Sequence, residues 1–372
     1  MKLTRRDILH SGVGCLIASA IPAMLPADSG GLPLKQLAAS SGVLVGAQVM
    51  RSQLRSDPSL ASFIAQNFDV LTPGIELKWE RIHPSLNTYF FEDGDWMVNF
   101  AHSHGMKVHG HNLCWNDFNP AWMAKTITKD NAERILTDHI TKVVRHYRGR
   151  VASWDVVNEP VRTQQGRPDG LSTGLWTNVL GPRYIDIAFT AARAADPDAK
   201  LIMNLDAIEQ DTGRQPENRQ HALALIKSMK DRKIPIDGIG SESHLDGNAN
   251  VKSQGALDFY RAIKSLGLTV SLSELDINDT SEAGDAPSRK MRNGNIYSTF
   301  ISWIANGVQL TRISFWTITD ARNGYDGGAK TNVHLQRKDG GAHYPGLLDI
   351  GDAPNPAWNS VRQTIAALPR HS

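Results

Sequence analysis

The chain has 372 residues, of which 41% are hydrophobic and 7% aromatic, a composition typical of a globular protein with a large buried core. The first 27 residues carry three of the 40 basic residues and one of the 38 acidic residues, so residues 28–372 hold 37 of each sign. This balance leaves no basic surplus of the kind that binds nucleic acid or anionic membranes. Of the two cysteines, Cys15 lies in the first 27 residues and leaves Cys114 without an intrachain disulfide partner.

The N-terminal segment has the organisation of an export signal. A basic head of three residues precedes the apolar run ILHSGVGCLIASAI, and LPADSG offers a small-residue cleavage point after Ala27. The apolar run is short and rich in Gly and Ser, which disfavours a membrane span. The stretch TRRDILH resembles a twin-arginine signal, with a general secretory signal and a retained anchor as alternatives. The sequence therefore predicts an export signal at 1–27, a single domain at 28–372, and a periplasmic or secreted protein with no membrane partner after signal removal.

From residue 43 onward, short apolar runs rich in β-branched residues alternate with segments of helical period. In the predicted helix 131–150, for example, Ile135, Ile140 and Val143 fall near one face. Further helices are predicted at 183–197 and 254–267. The predicted strands lie at 43–49, 68–73, 107–115, 151–157, 200–205, 237–243, 268–275 and 312–318.

These eight units predict an α/β protein with a (β/α)8 TIM barrel fold. Strands that are apolar almost throughout are typical of a parallel sheet covered by helices on its outside. An open doubly wound sheet would have fewer strands and a Gly-rich phosphate turn, and no such turn follows the first strand. The stretch 278–289 is expected to form one long exposed loop beside the active site.

Chemically active side chains follow the predicted strands. In barrel enzymes the C-terminal strand ends form the active site. Here those ends supply carboxylates, imidazoles, amides and indoles, a combination typical of carbohydrate sites. The residues are Glu76, Lys78, His111, Trp115, Asn158, Glu159, Glu242, His244, Glu274, Asp276, Trp316 and Asp320.

Glu159 and Glu274 each follow an apolar strand directly, so both are expected to face one bowl. Glycosidic bond cleavage needs one carboxyl group to protonate the leaving oxygen and another to attack the sugar or activate water. A separation of about 5 to 5.5 Å gives retention, and about 6.5 to 9.5 Å gives inversion. The residues alone leave both outcomes open.

Six motifs occur in order along the chain: LTPGIELKWERIHP, GDWMVNFAHSHGMKVHGHNLCW, WDVVNEP, DGIGSESHL, SLSELDI and FWTITD. Their order and spacing resemble glycoside hydrolase family 10, the xylanase-type family of retaining (β/α)8 enzymes. The resemblance runs from about residue 42 to about residue 366. It implies an endo-1,4-beta-xylanase-like enzyme that cleaves β-1,4-type bonds of a polysaccharide or oligosaccharide without a cofactor or metal.

The resemblance also implies roles for individual residues. Glu159 would be the acid/base and Glu274 the nucleophile. Asn158 would hold the 2-hydroxyl of the sugar at the cleavage point, and His244 would hydrogen-bond the nucleophile. The remaining implied sugar contacts are Lys78, His111, Trp115 and Trp316, with the two indoles packing against sugar faces.

Several positions depart from the family pattern. Gly74 and Ile75 stand where Glu and Asn are usual, and Asn116 replaces a common His. Gly324 stands where the family usually has a Trp whose indole forms a second wall of the site. A sugar hydroxyl buried without a partner costs about 1 to 3 kcal/mol. The sequence therefore favours a β-linked glycan other than plain xylan, with Tyr325 as a candidate substitute for the missing indole.

Glu242 stands where the family normally has Gln near the acid/base. An ionised Glu242 close to Glu159 would raise the pKa of the acid by like-charge repulsion. Glu242→Gln is therefore expected to lower the upper pKa of the kcat/KM profile.

Two alternatives come from other functional classes. The HGH at 109–111 allows a metal-dependent barrel hydrolase with His111, His244 and a carboxylate as ligands, which loss of activity on chelation would support. The other alternative is a catalytically idle sugar-binding protein on an enzyme scaffold. A monomer without nucleic acid partners is expected in each case.

Overall fold

The computed structural model describes residues 31–370. The predicted export signal at 1–27 lies outside that range. Within it, no helix is both long enough and apolar enough to cross a membrane.

Within the described residues, eight parallel strands close into a barrel, which confirms the predicted (β/α)8 fold. Neighbouring strands pair in chain order, the last barrel strand pairs with the first, and β6 pairs directly with β8. A short extra strand, β7, pairs with the end of β8. The strands are Leu44–Val49 (β1), Val70–Pro73 (β2), Lys107–Gly110 (β3), Ser153–Asn158 (β4), Lys200–Leu205 (β5), Gly238–Ser241 (β6), His244–Asp246 (β7), Thr269–Asn278 (β8) and Arg312–Phe315 (β9).

The α-helices precede, separate and follow the strands, and the longer ones cover the outside of the barrel. They are Leu34–Ala38 (α1), Arg51–Ser56 (α2), Pro58–Asn67 (α3), Trp79–Ile82 (α4), Glu92–Ser103 (α5), Ala121–Thr126 (α6), Ala132–His146 (α7), Leu175–Leu180 (α8), Arg183–Ala195 (α9), Gln215–Asp231 (α10), Gln254–Ser265 (α11), Ala286–Gly307 (α12), Gly324–Gly328 (α13) and Pro356–Ala366 (α14).

Helix α7 shows how the sequence pattern produces this layer. Its buried side chains include Ile135, Ile140 and Val143, the face expected from the sequence. That face packs on the barrel while charged residues remain outside. The helices predicted at 131–150, 183–197 and 254–267 correspond to α7, α9 and α11, each of which ends two to four residues earlier than predicted.

Strand β3 is shorter than the sequence suggested. It ends at Gly110, and residues 111–115 form an irregular segment that aims side chains into the barrel mouth. A Cβ on Gly110 would lie 2.1 Å from the Trp154 ring, so only glycine lets β3 approach β4 this closely. Beyond the break, Trp115 bridges back to Asn158 of β4.

The loop expected at 278–289 is shorter and less exposed than predicted. Strand β8 continues to Asn278, and helix α12 already begins at Ala286, where the Asp285 side chain accepts a hydrogen bond from the Ser288 backbone. In the short connection between them, Asp279 and Glu282 are buried. Their carboxylates pair with basic side chains of α12, which fix the connection to the helix.

Candidate active site

The end of β4 delivers Glu159 in an unusual backbone conformation. Its φ is +49°, in the left-handed region, which costs a residue other than glycine on the order of 1–3 kcal/mol. The Glu159 backbone N–H donates to the Asn204 carbonyl at 2.9 Å, so the neighbouring strand fixes this geometry. Pro160 follows, and its ring disfavours the right-handed helical conformation for Glu159 before it. The strained position therefore aims a buried carboxyl group into the mouth.

Two donors meet on one oxygen of Glu159. Trp115 Nε1 donates to Glu159 Oε2 at 3.1 Å, and the guanidinium of Arg162 forms an ion pair with the same oxygen. Within residues 31–370 no hydrogen bond to Oε1 is recorded. The second carboxyl oxygen is therefore the one available to a substrate.

Asn204, at the end of β5, connects both carboxylate positions. Its Nδ2 lies 2.8 Å from Asn158 Oδ1, 3.0 Å from Glu242 Oε1 and 2.7 Å from Glu274 Oε1. Asn158 directly precedes Glu159, so the ends of β4 and β8 meet around one amide. The two carboxylates singled out in the sequence thus share the barrel mouth.

Glu274 lies between two imidazoles. His111 Nδ1 is 3.6 Å from Glu274 Oε1, and His244 Nε2 is 3.4 Å from Glu274 Oε2. Burial alone would raise the pKa of Glu274, but the neighbouring histidines outweigh burial and lower it. The carboxylate is therefore held ionised, as a nucleophile must be.

Each imidazole is in turn held by its own aspartate. His244 Nδ1 lies 2.7 Å from Asp276 Oδ1, and His111 Nδ1 lies 3.0 Å from Asp155 Oδ2. Burial opposes protonation of His244, but Asp276 and Glu274 raise its pKa well above the usual value. Asp276 also accepts hydrogen bonds from Thr317 and Tyr325, which fix its carboxylate in place.

The metal hypothesis placed His111 and His244 in one ligand set, but the structure divides them. His111 groups with Asp155 and Glu274, whereas His244 groups with Glu242 and Glu274, in each case with ligand-type atoms within 4.8 Å of one another. His109 is buried beneath the mouth and bonded to Ser153 and Asp155. The HGH motif is therefore a support for Glu274 rather than a chelating pair.

Glu242 lies beside Glu274. Its recorded contacts are with Asn204 and, at 3.8 Å, His244 Nε2. Burial, followed by the charge of Glu274, raises the pKa of Glu242 well above its ordinary value. A protonated carboxyl group at this position resembles the amide usual in the family pattern and carries no charge to repel Glu159. The premise of an ionised Glu242, on which the expected fall in the upper pKa for Glu242→Gln depended, is therefore wrong.

This raised pKa makes the stability of the protein depend on pH. The folded state retains a proton on Glu242 that the unfolded state loses above the ordinary value of 4.5, so the contribution of Glu242 to stability falls as pH rises from there. We expect Glu242→Gln to raise Tm relative to wild type at pH 7 more than at pH 4. Thermal unfolding at both pH values measures this difference, with exposed Glu80→Gln as the control. A Tm difference that is the same at both pH values would contradict it.

An open cleft of about 660 Å³ extends from His244 and Trp316 towards β1, the segment after β2, and α13. A Cβ on Gly74 would lie 1.7 Å from Gln48 Nε2, so the Gln48 amide occupies the room of the missing side chain. Ile75 lines the same wall, and Tyr325 donates to Asp276 Oδ1 at 2.7 Å. Around Gly324 there is open space, since a Cβ there would meet nothing within 4 Å.

An aromatic wall lies on the Glu159 side. Trp115 stacks on Phe118 with ring centroids 4.9 Å apart, and Lys78 Nζ lies 5.1 Å from the Trp115 ring. Phe118 is 64% exposed and has a φ of +51°. Burial lowers the pKa of Lys78, although the negative charges of Glu274 and Glu242 act to raise it. Trp316 lines the opposite side, with its ring 5.3 Å from that of His111.

Of the residues predicted at the strand ends, the structure brings ten to one mouth: Lys78, His111, Trp115, Asn158, Glu159, Glu242, His244, Glu274, Asp276 and Trp316. Glu76 and Asp320 instead accept hydrogen bonds from the backbone N–H groups of Arg51 and Gly346. Sequence reasoning missed Gln48, Phe118, Asp155, Arg162 and Asn204. Of these five residues, only Phe118 could have been found from the sequence, because it is an apolar residue in the polar stretch NDFN. Asn116 bonds Ser172, Thr177 and the start of α8, so its role is structural.

Known proteins with the same pattern identify the family. The model of glycosyl hydrolase family 10 matches residues 33–364. The endo-1,4-beta-xylanase B of Thermotoga neapolitana is 30% identical over 312 residues, which cover 83% of this chain and 87% of that protein. A beta-1,4-xylanase of Dictyoglomus thermophilum is 32% identical over 311 residues, covering 81% and 83%.

Solved structures agree with this match. Xylanase 10B from Thermotoga petrophila RKU-1, solved in complex with xylobiose, superposes with a TM-score of 0.80 at 28% identity and covers 91% of this chain and 98% of its own. Native xylanase 10B from Thermotoga maritima gives 0.79 at 27% identity, covering 90% and 98%. On these matches and on the barrel with its paired carboxylates, the chain belongs to glycosyl hydrolase family 10.

Proposed function

We propose that this chain is a retaining, endo-1,4-beta-xylanase-like glycoside hydrolase in which Glu159 is the acid/base and Glu274 the nucleophile. The observation that carries the assignment is the Asn204 amide, which holds Glu274 directly and Glu159 through its neighbour Asn158. A buried carboxylate kept ionised by two imidazoles suits attack on an anomeric carbon, and a carboxyl group with a free oxygen suits proton transfer.

In the first step a Glu274 oxygen bonds to the anomeric carbon while the glycosidic bond breaks. The proton on Glu159 Oε1 passes to the leaving oxygen, so the departing sugar leaves as a neutral alcohol. Asn158 holds the 2-hydroxyl during this step, and Trp115 and Trp316 enclose the sugar ring. Hydrogen bonds to that hydroxyl strengthen in the transition state.

In the second step Glu159, now ionised, removes a proton from water. The water oxygen bonds to the anomeric carbon and the Glu274 ester bond breaks, which returns both carboxyl groups to their starting states. Two inversions at one carbon give net retention.

A covalent intermediate provides the direct test. A 2-fluoro glycoside with a good leaving group should add one glycosyl mass to the protein, on the peptide that contains Glu274. Intact-protein and peptide mass spectrometry measure both. An active enzyme that never forms the adduct, or forms it elsewhere, would overturn the assignment, and an inactive one would favour a sugar-binding protein.

We further propose that the natural substrate is a β-linked polysaccharide other than plain xylan, such as a branched or bacterial exopolysaccharide. Support comes from the wall of the cleft formed by β1 and the segment after β2, where Gln48 fills the room over Gly74 and Ile75 is apolar. A single amide in place of two polar side chains changes which sugar hydroxyls find partners. Product analysis across a panel of β-glycans tests this proposal, and turnover of linear xylan equal to that of every other glycan would refute it.

The open space at Gly324 gives a gain-of-function prediction. Gly324→Trp should lower KM for linear xylan about two- to tenfold, because the added indole can cover a sugar face. Steady-state kinetics on xylan measure the change. Gly327→Trp is the matched control, since its Cβ also meets nothing within 4 Å and it lies outside the cleft lining. Equal effects of the two substitutions would contradict the prediction.

We also propose that the protein is exported, through the twin-arginine-like segment at its start, and acts in the periplasm or outside the cell as a monomer. The equal numbers of acidic and basic residues in 28–372 support a neutral glycan rather than nucleic acid as its partner. Fractionation of cells expressing the full chain, with Arg5 and Arg6 each replaced by Lys, tests the export route.

A further inference from the structure

Arg162 has no role in the two-step mechanism, yet it contacts Glu159, the proposed proton donor. It lies three residues after Glu159 and forms an ion pair with Glu159 Oε2. Its Nη1 donates to Asp117 Oδ2 at 2.7 Å, and its Nε lies 3.8 Å from Asp206 Oδ2. One guanidinium thus bridges the loops that follow β3, β4 and β5.

The contact is specific to one oxygen. Because Trp115 Nε1 and Arg162 both point to Oε2, a proton on that oxygen would oppose two donors. The proton that Glu159 transfers must therefore sit on Oε1. Both donors also favour the ionised carboxyl group, because each interacts more strongly with a carboxylate than with the neutral acid.

We propose that Arg162 is a positioning residue for Glu159: it directs the transferred proton to Oε1 and stabilises the ionised form, with Asp117 and Asp206 limiting how strongly it does so. This proposal rests on the proposed function, in which Glu159 is the acid/base. The guanidinium has three carboxylate partners, so its positive charge is divided among them. The two aspartates thereby keep Glu159 able to take up a proton for the first step.

Other charged groups around the mouth act on Glu159 as well, and all must remain unchanged in a test. Lys78 approaches from the loop after β2, His111 and Glu242 directly follow β3 and β6, and His244 and Glu274 lie on β7 and β8. Replacing Arg162 or Asp117 alters none of these directly. A change in the pH profile of such a variant therefore reports on the Arg162 contact.

Arg162→Gln should move the alkaline limb of the kcat/KM profile for the natural glycan to higher pH by about one unit. With an activated aryl glycoside, whose slow step needs ionised Glu159, the acid limb of kcat should move upward by a similar amount. Asp117→Asn, which frees Arg162 and removes a negative charge, should move both limbs to lower pH. Arg193→Gln is the control, because Arg193 pairs with Asp237 at the opposite end of the barrel and is similarly exposed, 27% against 20%.

The outcomes distinguish failure of this proposal from failure of the assignment of Glu159 as the acid/base. An unchanged alkaline limb in Arg162→Gln together with a raised KM would overturn the proposal and make Arg162 a substrate contact. A shift of equal size in Arg193→Gln would also overturn it. Failure of the proposed function looks different, since Glu159→Gln would then keep wild-type activity on the natural glycan at every pH. The Asp117 variant keeps the test decisive where loss of Arg162 impairs folding.

Discussion

Glu274→Gln is expected to lower kcat on the natural glycan by roughly 10⁴- to 10⁶-fold, the size of loss seen when a catalytic nucleophile is removed. The amide has nearly the same shape as the carboxylate, so the variant should fold and bind substrate. It cannot form the ester, because an amide oxygen is a poor nucleophile at an anomeric carbon. Reducing-end release on the natural glycan measures the loss, and calorimetry with an oligosaccharide product measures the binding that remains.

A buried carboxylate outside the cleft gives the matched control. Glu209 is as buried as Glu274 and accepts hydrogen bonds from Ser241 and the Ser243 backbone. Glu209→Gln should lower Tm and leave kcat within about tenfold of wild type, because it contacts no substrate. If both variants lost activity equally, Glu274 would be a structural residue. Glu274→Gln with kcat near wild type would exclude it as the nucleophile.

Glu159→Gln should produce a loss that depends on the leaving group. On the natural glycan kcat/KM is expected to fall about 10²- to 10⁴-fold, because the leaving sugar is no longer protonated. A dinitrophenyl glycoside needs no such protonation, so its first step should proceed near the wild-type rate. The second step then lacks its base, and a burst of dinitrophenol followed by slow turnover is expected.

Stopped-flow absorbance measures this burst. Added azide should restore turnover in Glu159→Ala and give a glycosyl azide of retained configuration, because azide attacks the intermediate without needing a base. The same Glu209→Gln protein serves as control and should show neither a burst nor azide rescue. Equal losses on the natural glycan and on the dinitrophenyl glycoside would contradict the acid/base role of Glu159.

The sequence predicts the barrel and its rim well because parallel strands carry their C-terminal ends to one side. Knowing only that Glu159 and Glu274 lie in the C-terminal parts of apolar strands or directly after them is enough to place them together. The same reasoning placed strand β3 too far along the chain, up to Trp115. The apolar pattern continues past Gly110, but the backbone leaves the sheet there to aim His111 at Glu274.

The residues that were missed depend on contacts between elements rather than on local pattern. Gln48 lies in β1 and reaches across to Gly74 beyond β2, a contact set by strand register. Arg162 finds Asp117 and Asp206 only because three loops converge above the barrel. Asn204 has no pattern of its own in the sequence, and its importance arises from the three acceptors around one amide.

The left-handed backbone at Glu159 limits how this position can be explored by mutation. In a saturation library, the backbone at this position should accommodate glycine, asparagine and aspartate. The β-branched residues valine, isoleucine and threonine would distort the backbone, regardless of the functional groups that they carry. Inactive members of the second group would therefore report on backbone accommodation, and only the first group would isolate the contribution of the carboxyl group.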